Sequence, residues 1–355
     1  MDFSFSPEQD QLRAQARSFL EKRFPAARLA EIATSKDGWD RASWPELARL
    51  GWTGASIPEA QGGAGLSFVE EAIVFEELGR ALYAGPYFTT VALALPSLAC
   101  APDLLARVAS GALTATLASG TAMEARRAGD RWLLRGETDL VPDAGWVEAF
   151  VVHARGPDGD GLYLAERHDA RPRIRVLDTV DVTRRLGHVI FDDDEGRLLA
   201  APPDAAEIIA RTRRRALAAL ALEAVGIGSQ ALALGVSHAK TREQFGRPIG
   251  AYQAVSHKLA DTYVEMELAR SLAYWAAWCI AEDDGQADLA AIAAKAYAAE
   301  AAVAACERAI QVHGGMGFTW DHPLHRYYKR ALWIESFDRS GAAHRAEIAQ
   351  VLLGG

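Results

Sequence analysis

Two segments of this 355-residue chain carry side chains whose types and spacing suit chemistry on a ligand. The first reads Thr241-Arg242-Glu243-Gln244-Phe245-Gly246-Arg247-Pro248-Ile249-Gly250-Ala251-Tyr252-Gln253. It sets a fixed positive charge, an amide and an aromatic ring beside a turn-forming glycine, with a second amide eight residues beyond Phe245. A guanidinium pairs bidentately with phosphate, a phenyl ring packs on a flat face, and amides satisfy the polar atoms of a ring or a ribose. The set suits a planar, phosphate-bearing ligand. The second segment, Gln311-Val312-His313-Gly314-Gly315-Met316-Gly317-Phe318, places three glycines at a helix end. Glycines there let backbone N–H groups approach a ligand closely. Either segment alone reads equally well as a helix-loop-helix turn; together they point to a binding surface.

Other candidates have simpler readings. Gly226-Ile227-Gly228 resembles part of a dinucleotide fingerprint, but no strand precedes it, so small residues for close helix approach explain it better. His322-Pro323-Leu324-His325 offers two histidines with no third zinc ligand nearby in sequence. Arg211, Arg213, Arg214 and Arg215 read as the solvated start of a helix, with a phosphate contact as the lesser alternative. Neither a G-x-S-x-G elbow nor a G-x-x-x-x-G-K-[ST] loop occurs.

The elements that must position these segments fall into three zones, read as residues 1–110, 111–200 and 201–355. The first is helical. Ser6-Pro7-Glu8-Gln9 forms a helix start ahead of an apolar face of Leu12, Ala16, Phe19 and Leu20; Trp44–Leu50 stops at Gly51, and Phe68–Leu82 follows. The second holds short runs rich in β-branched residues or alternating in polarity: 113–118, 132–136, 149–154, 161–165, 174–177 and 189–191. Gly, Pro and Asp clusters separate them, which predicts a small antiparallel barrel or sandwich. The third holds four long helices, about 204–240, 254–281, 288–312 and 325–352, the last broken near 336–341. Such a series with short connections is a bundle. The fold class is thus α+β, mostly α.

Composition sets the outer limits. Half the residues are hydrophobic, a quarter are charged and the net charge is −9, which argues against nucleic-acid partners. The longest apolar stretch, 216–236, contains Glu223, Ser229 and Gln230 and reads as a buried helix rather than a membrane span. Cys100, Cys279 and Cys306 make no paired pattern and the first residues are charged and amphipathic, so a reducing, cytoplasmic setting is expected.

At the two surface segments the chain resembles the acyl-CoA dehydrogenase superfamily of flavoproteins. Arg242-x-Gln244-Phe245-Gly246-x-x-Ile249-x-x-x-Gln253 and Gln311-x-x-Gly314-Gly315-x-Gly317-Phe318 stand as two of that family's most characteristic motifs. Asp2-Phe3 through Gln9, Glu46 through Trp52 and Pro58 through Gly65 extend the resemblance over nearly the whole chain. It implies a helical domain, a β domain and a four-helix bundle, FAD as cofactor, and an acyl-CoA thioester substrate. Two subunits of such an enzyme build each FAD site. Carried over residue by residue, Arg242, Gln244, Phe245, Gln253, Gln311, Gly314 and Gly315 are the candidate FAD contacts. The reaction implied is α,β-dehydrogenation, in which a carboxylate removes the α-proton and the β-hydrogen leaves as hydride. An electron-transfer flavoprotein is the implied electron acceptor.

Departures from the family pattern matter as much. Where the family has a T-E-P-x-x-G-S-D-like loop and a W-I-T-N-like strand end against the flavin ring, this chain reads Leu117–Met123 and Asp139-Leu140-Val141-Pro142-Asp143. The acidic loop is missing, and Pro142, which has no N–H, replaces a hydrogen-bonding threonine. The position of the family's catalytic glutamate falls on Asp338, followed by Arg339 in place of glycine. The alternative base position falls near Ala216; Glu335 and Glu223 are lesser candidates. Three readings follow. One is a subunit of a paired-chain dehydrogenase, resembling those acting on steroid side-chain CoA esters, with a paralogous chain completing the FAD site. Another is a self-sufficient homo-oligomeric dehydrogenase or oxidase using Asp338 as base; the last is a non-catalytic scaffold. For Asp338 itself the bland alternative is an ion pair near Arg339.

Overall fold

The computed structural model describes residues 5–169 and 171–354; Asp2 and Phe3, part of the N-terminal resemblance, lie outside the described residues. The chain packs as two compact units, one from Met1–Glu31, Phe68–Tyr83 and Leu217–Gly355, the other from Ile32–Ser67 and Ala84–Ala216.

In the first unit, α1 (Pro7–Arg23) opens on a capping box: Ser6 Oγ accepts from the Gln9 N–H at 3.2 Å and Gln9 Oε1 accepts from the Ser6 N–H at 3.0 Å. Next to it α4 (Phe68–Arg80) is buried along nearly its whole length, including Glu71, Glu76 and Glu77. A buried carboxylate costs on the order of several kcal/mol unless it is paired. Here Arg17 grips Glu77 bidentately at 3.0 and 2.6 Å, while Arg13, Arg270 and the Tyr274 hydroxyl all donate to Glu76. The bundle follows as α7 (Asp204–Thr241), α8 (Gln253–Ala281), α9 (Ala287–His313), α10 (Leu324–Ser336) and α11 (Gly341–Leu353). These bounds lie within a residue or so of the periodicity reading, and the expected break is the link between α10 and α11. Gly226 explains the Gly-x-Gly run. A Cβ there would sit 2.0 Å from the Glu76 carbonyl oxygen, so α7 meets α4 backbone to backbone.

The second unit contains α3 (Ser43–Arg49), the short α5 (Leu95–Leu98) and α6 (Pro102–Ala109), and the sheet. Its strands are β1 (Ala115–Ala128), β2 (Arg131–Glu137), β3 (Val141–Pro142), β4 (Ala149–Gly156), β5 (Gly159–Glu166), β6 (Arg173–Val176) and β7 (Leu186–Ala200). The order β2-β1-β4-β5-β7-β3, with β2 also paired to β7, closes a ring around Phe150, Phe191, Leu134, Val152 and Val189. One pair, β1 with β4, is parallel, so the barrel is not wholly antiparallel. Each run expected as a strand falls on an observed one, but β1 and β7 are much longer than expected. β1 does not turn at Ser119-Gly120; it slips register between Ser119 and Glu124 and continues. Gly120 permits this, because a Cβ there would lie 2.7 Å from the Glu137 carbonyl oxygen.

The arginine run at the head of α7 is mixed: Arg211 is exposed, as the solvated reading expects, Arg213 and Arg214 are half-buried, and Arg215 is turned inward. Arg215 Nε donates to the Val91 carbonyl at 3.0 Å and its Nη2 donates to Ser56 Oγ at 3.2 Å. Two helices, Asp204–Thr241 and Ala287–Phe318, are long and apolar enough to cross a membrane, and most of each apolar window is buried inside the structure.

Candidate functional site

The first motif sits on a small hairpin between α7 and α8. β8 (Glu243–Gln244) pairs with β9 (Arg247–Pro248), and the two residues between them, Phe245 and Gly246, have φ of +52° and +80°. Positive φ at both central residues is what a two-residue type I′ turn requires. Glycine adopts it freely, whereas an L-residue there costs roughly 1–2 kcal/mol. Phe245 is therefore strained, and 93% of it is exposed. The Tyr252 hydroxyl, donating to the Gln244 carbonyl at 3.1 Å, braces the turn, and Arg247 lies over the Tyr252 ring at 4.1 Å. Arg242, Gln244 and Gln253 are exposed beside it.

The second motif caps α9. Gly314 has φ +63° and ψ −143°, and a Cβ built on either Gly314 or Gly315 meets nothing within 4 Å, so the backbone is open to an approaching group. Gly317 serves packing instead, since a Cβ there would strike the Ile310 carbonyl oxygen at 2.7 Å and push the turn away from α9. Gln311 is exposed on the last turn. The structure brings the two motifs together. The rings of His238, in the last turn of α7, and His313, at the end of α9, stack with centroids 4.3 Å apart. His322 also packs on His313, its ring tilted by 52° with centroids 4.4 Å apart. The face-to-face rings bind these helix ends as aromatic surfaces. Burial, with His313 beside them, lowers the pKa of both His238 and His322, favouring neutral rings that stack without repulsion.

Asp338 occupies the loop between α10 and α11 at φ +65°. That loop is held from beneath by Lys295, a fully buried lysine of α9 whose ammonium donates to the carbonyls of Glu335, Phe337 and Arg339 at 3.0, 2.8 and 3.0 Å. Asp338 Oδ2 lies 3.1 Å from Nε2 of His344, itself fully buried, and the other ring nitrogen of His344 is buried without a hydrogen bond. With the carboxylate ionised, Nε2 carries the proton and donates. Arg339 pairs with Glu347, at 3.5 Å. Glu223 does not fit the role of exposed base: it is buried and ion-paired with the fully buried Arg330. Ala216 is buried and carries no acid. Sequence reasoning missed Lys295 and His344. The signal for Lys295 was present, as a single lysine inside the alanine-rich run Leu289–Ala299.

In the barrel, the two segments aligned with the family's flavin-ring contacts are divided: Ser119, Thr121, Ala122, Asp139 and Leu140 are exposed, while Ala118, Met123, Val141, Pro142 and Asp143 are buried. Residues 117–123 lie inside β1, across its register shift between Ser119 and Glu124. Pro142 is buried in β3, paired with Leu186, and its carbonyl accepts from Thr116 Oγ1 at 3.1 Å. The buried Asp143 accepts from Thr89 Oγ1 at 3.2 Å. The helix-end surface thus fits the diphosphate and adenosine part of a dinucleotide: an exposed guanidinium, an outward ring, exposed amides and an open glycine backbone. The barrel segments differ: residues 120–124 line an open pocket with His153 and Arg155, but Pro142 offers no N–H and Asp143 is engaged by Thr89.

Comparisons with known proteins agree with that surface. Residues 6–120 match the acyl-CoA dehydrogenase N-terminal domain and residues 211–353 the acyl-CoA dehydrogenase C-terminal domain. The chain is 35% identical over 326 residues to acyl-CoA dehydrogenase IpdE2 of Mycobacterium tuberculosis, covering 91% of each chain. Among solved structures, a variant of the Tcur3481–Tcur3483 steroid ACAD matches with a TM-score of 0.86 and 32% identity over 98% of both chains. The ChsE4–ChsE5 complex from Mycobacterium tuberculosis matches with a TM-score of 0.91 and 27% identity over the full length of both. With identity of this depth over nine-tenths of its length, the chain belongs to the acyl-CoA dehydrogenase family.

Proposed function

We propose that this chain is one subunit of an FAD-dependent acyl-CoA dehydrogenase that desaturates the α,β bond of an acyl-CoA thioester, with FAD shared across a subunit interface. The observation that carries the reading is a contrast: an open diphosphate surface on the helix ends, and, where flavin-ring contacts would stand in the barrel, a buried Pro142 without an N–H beside an Asp143 already engaged by Thr89. A paralogous chain then supplies the flavin-ring half. The substrate class proposed is a steroid side-chain CoA ester; a steroid ACAD among the similar structures and a second relative solved as a complex of two named chains support it. The electron acceptor proposed is an electron-transfer flavoprotein, and the compartment is the cytoplasm, where the free thiols of Cys100, Cys279 and Cys306 stay reduced.

When bound, FAD supplies the hydride acceptor for the substrate's β-hydrogen. The chain's own residues bind and orient. Arg242 meets a phosphate with its guanidinium, a charge-assisted pairing roughly twice as strong as a neutral hydrogen bond. Phe245 offers a ring face, Gln244, Gln253 and Gln311 offer amides, and the open backbone at Gly314 and Gly315 admits a close N–H contact. The shared site leaves Asp338 as a structural carboxylate, its work done by an acid in the paralogue.

A second reading draws on a separate observation. The three carbonyls clamped by Lys295 and the bond from His344 fix Asp338 as firmly as a general base needs. In a self-sufficient enzyme Asp338 would take the α-proton while the His344 N–H holds its other oxygen. The visible absorption spectrum separates the two. Purified alone, the chain should retain little flavin, and co-expression with a paralogue carrying the missing loop should restore it. Stoichiometric FAD on the lone homo-oligomer would remove the shared-site reading.

A further inference from the structure

The first unit holds a half-open cavity of about 180 Å³ beside the C-terminal end of α4, walled by α1, residues 24–29, α4, α7 and the start of α10. One part of its wall is apolar, formed by Leu20, Phe24, Leu29 and Leu234. Another carries three arginines, Arg17, Arg80 and Arg326, against two glutamates, Glu21 and Glu77. Arg17 and Glu77 satisfy each other through their bidentate pair, so they add no net charge. Arg80 and Arg326 stand apart from the other arginines of this unit. Every other one that is half-buried or deeper has a partner: Arg13 and Arg270 on Glu76, Arg28 on Glu31, Arg308 on Glu265, Arg330 on Glu223, and Arg23 over the Phe24 ring. Arg80 and Arg326 are half-buried, and among the described residues neither guanidinium makes a hydrogen bond or an ion pair. Burial lowers the pKa of both, and the like charge of Arg17 lowers that of Arg80 further. The exposed Glu21 is near enough to act on Arg80 through space but makes no ion pair with it.

We propose that this cavity binds an amphipathic monoanion, with its acidic head at Arg80 and Arg326 and its hydrocarbon tail along Leu20, Phe24, Leu29 and Leu234. A half-buried guanidinium without a counter-charge gains from an anion that meets it, and two lining one cavity define an anionic subsite. The apolar wall excludes a bare inorganic ion as the best occupant, since it would leave that surface uncovered. Size limits the ligand further: the cavity is smaller than the roughly 300–1,000 Å³ that holds drug-sized molecules, so a medium-chain carboxylate fits and a nucleotide does not. The site lies in the first unit alone and does not depend on how FAD is held.

Isothermal titration of the purified protein, in whatever assembly it forms, tests this with octanoate, octyl phosphate, octanol and inorganic phosphate as probes. Octanoate should bind saturably at one site per chain, with octanol and inorganic phosphate each about tenfold weaker or worse. Octyl phosphate separates the two kinds of head: comparable binding assigns the site to monoanions in general, and tighter octanoate binding to carboxylates. Arg80→Met and Arg326→Met should each weaken octanoate at least about tenfold, with unchanged far-ultraviolet circular dichroism showing that the fold is intact. Glu21→Gln, which removes the nearby competing carboxylate, should tighten binding. Octanoate affinity unchanged in both arginine variants would place the ligand elsewhere, such as an acyl pocket, and overturn the proposal. Absence of saturable binding in both the parent and Glu21→Gln would overturn it as well.

Discussion

The helix ends carrying Arg242 and Gly314 and the barrel strands carrying residues 117–143 are built on opposite principles. On the helix ends, polar and aromatic groups project outward, one of them from a strained backbone, and the glycine backbone is uncovered. In the barrel two of the corresponding groups turn inward: the Pro142 carbonyl is taken by Thr116 and Asp143 by Thr89. Groups satisfied within their own fold have little left to offer a ligand, whereas strain and exposure together mark a surface that something else completes. The proposed shared site calls for this difference: one half of a cofactor site on the helix ends, the other supplied by a partner chain.

That contrast can be broken most strongly at Arg242. If its guanidinium becomes buried against phosphate in the assembly, Arg242→Ala should weaken FAD binding by roughly 2–5 kcal/mol, or about 30-fold and more, while the bundle's melting temperature stays put. Equilibrium dialysis with FAD reads it, and unchanged retention would mean that the motif is only a turn. Phe245→Gly sharpens the comparison, because its two effects should have opposite signs. Releasing the left-handed strain should stabilise the flavin-free protein by up to about 1 kcal/mol, and losing the ring should weaken flavin binding. Denaturant unfolding and dialysis on the same preparation would show both; a loss in both would mean that Phe245 packs rather than binds.

Asp338→Asn asks whether the contrast extends to catalysis. With a shared site, turnover of the complete assembly should stay within a few-fold of the parent, measured by single-turnover bleaching of flavin with an acyl-CoA. A fall of about 10²–10⁴ would instead make Asp338 the base. The smallest effect concerns the end of the helix-end surface near α10. Burial first, then Arg326 and Lys329, holds His325 at a pKa of about 4, below its ordinary value near 6.5. The unfolded chain then binds the proton more readily, so stability is intact above pH 6.5 and is lost as the pH falls from there toward about 4. His325→Phe should flatten the melting-temperature profile across that window, by a few degrees at most, and an unchanged profile would contradict the assignment.

Much of the fold was legible in the sequence. α7 to α11 could be bounded because their starts and stops carry local signals, such as Asp204 at one end and His313-Gly314 at another. The two surface motifs were legible because an arginine, a phenylalanine and exposed amides beside glycine turns serve no core. The segment Phe88–Ala94 was not, since all its residues are buried and no one-sided stripe exists to read. The long course of β1 was hidden because a glycine within a polar run looks like a turn when it is a register slip. The clamp under Asp338 was invisible for a different reason: Lys295 lies forty residues before Glu335, and no local pattern couples them.

In the proposed enzyme each flavin is completed by two different chains. Native mass spectrometry of the assembly co-purified with its paralogue tests this most directly, by counting FAD against protein chains. A shared site requires one FAD for every two chains and none retained by this chain alone. One FAD per chain, on an assembly of this chain only, would contradict it.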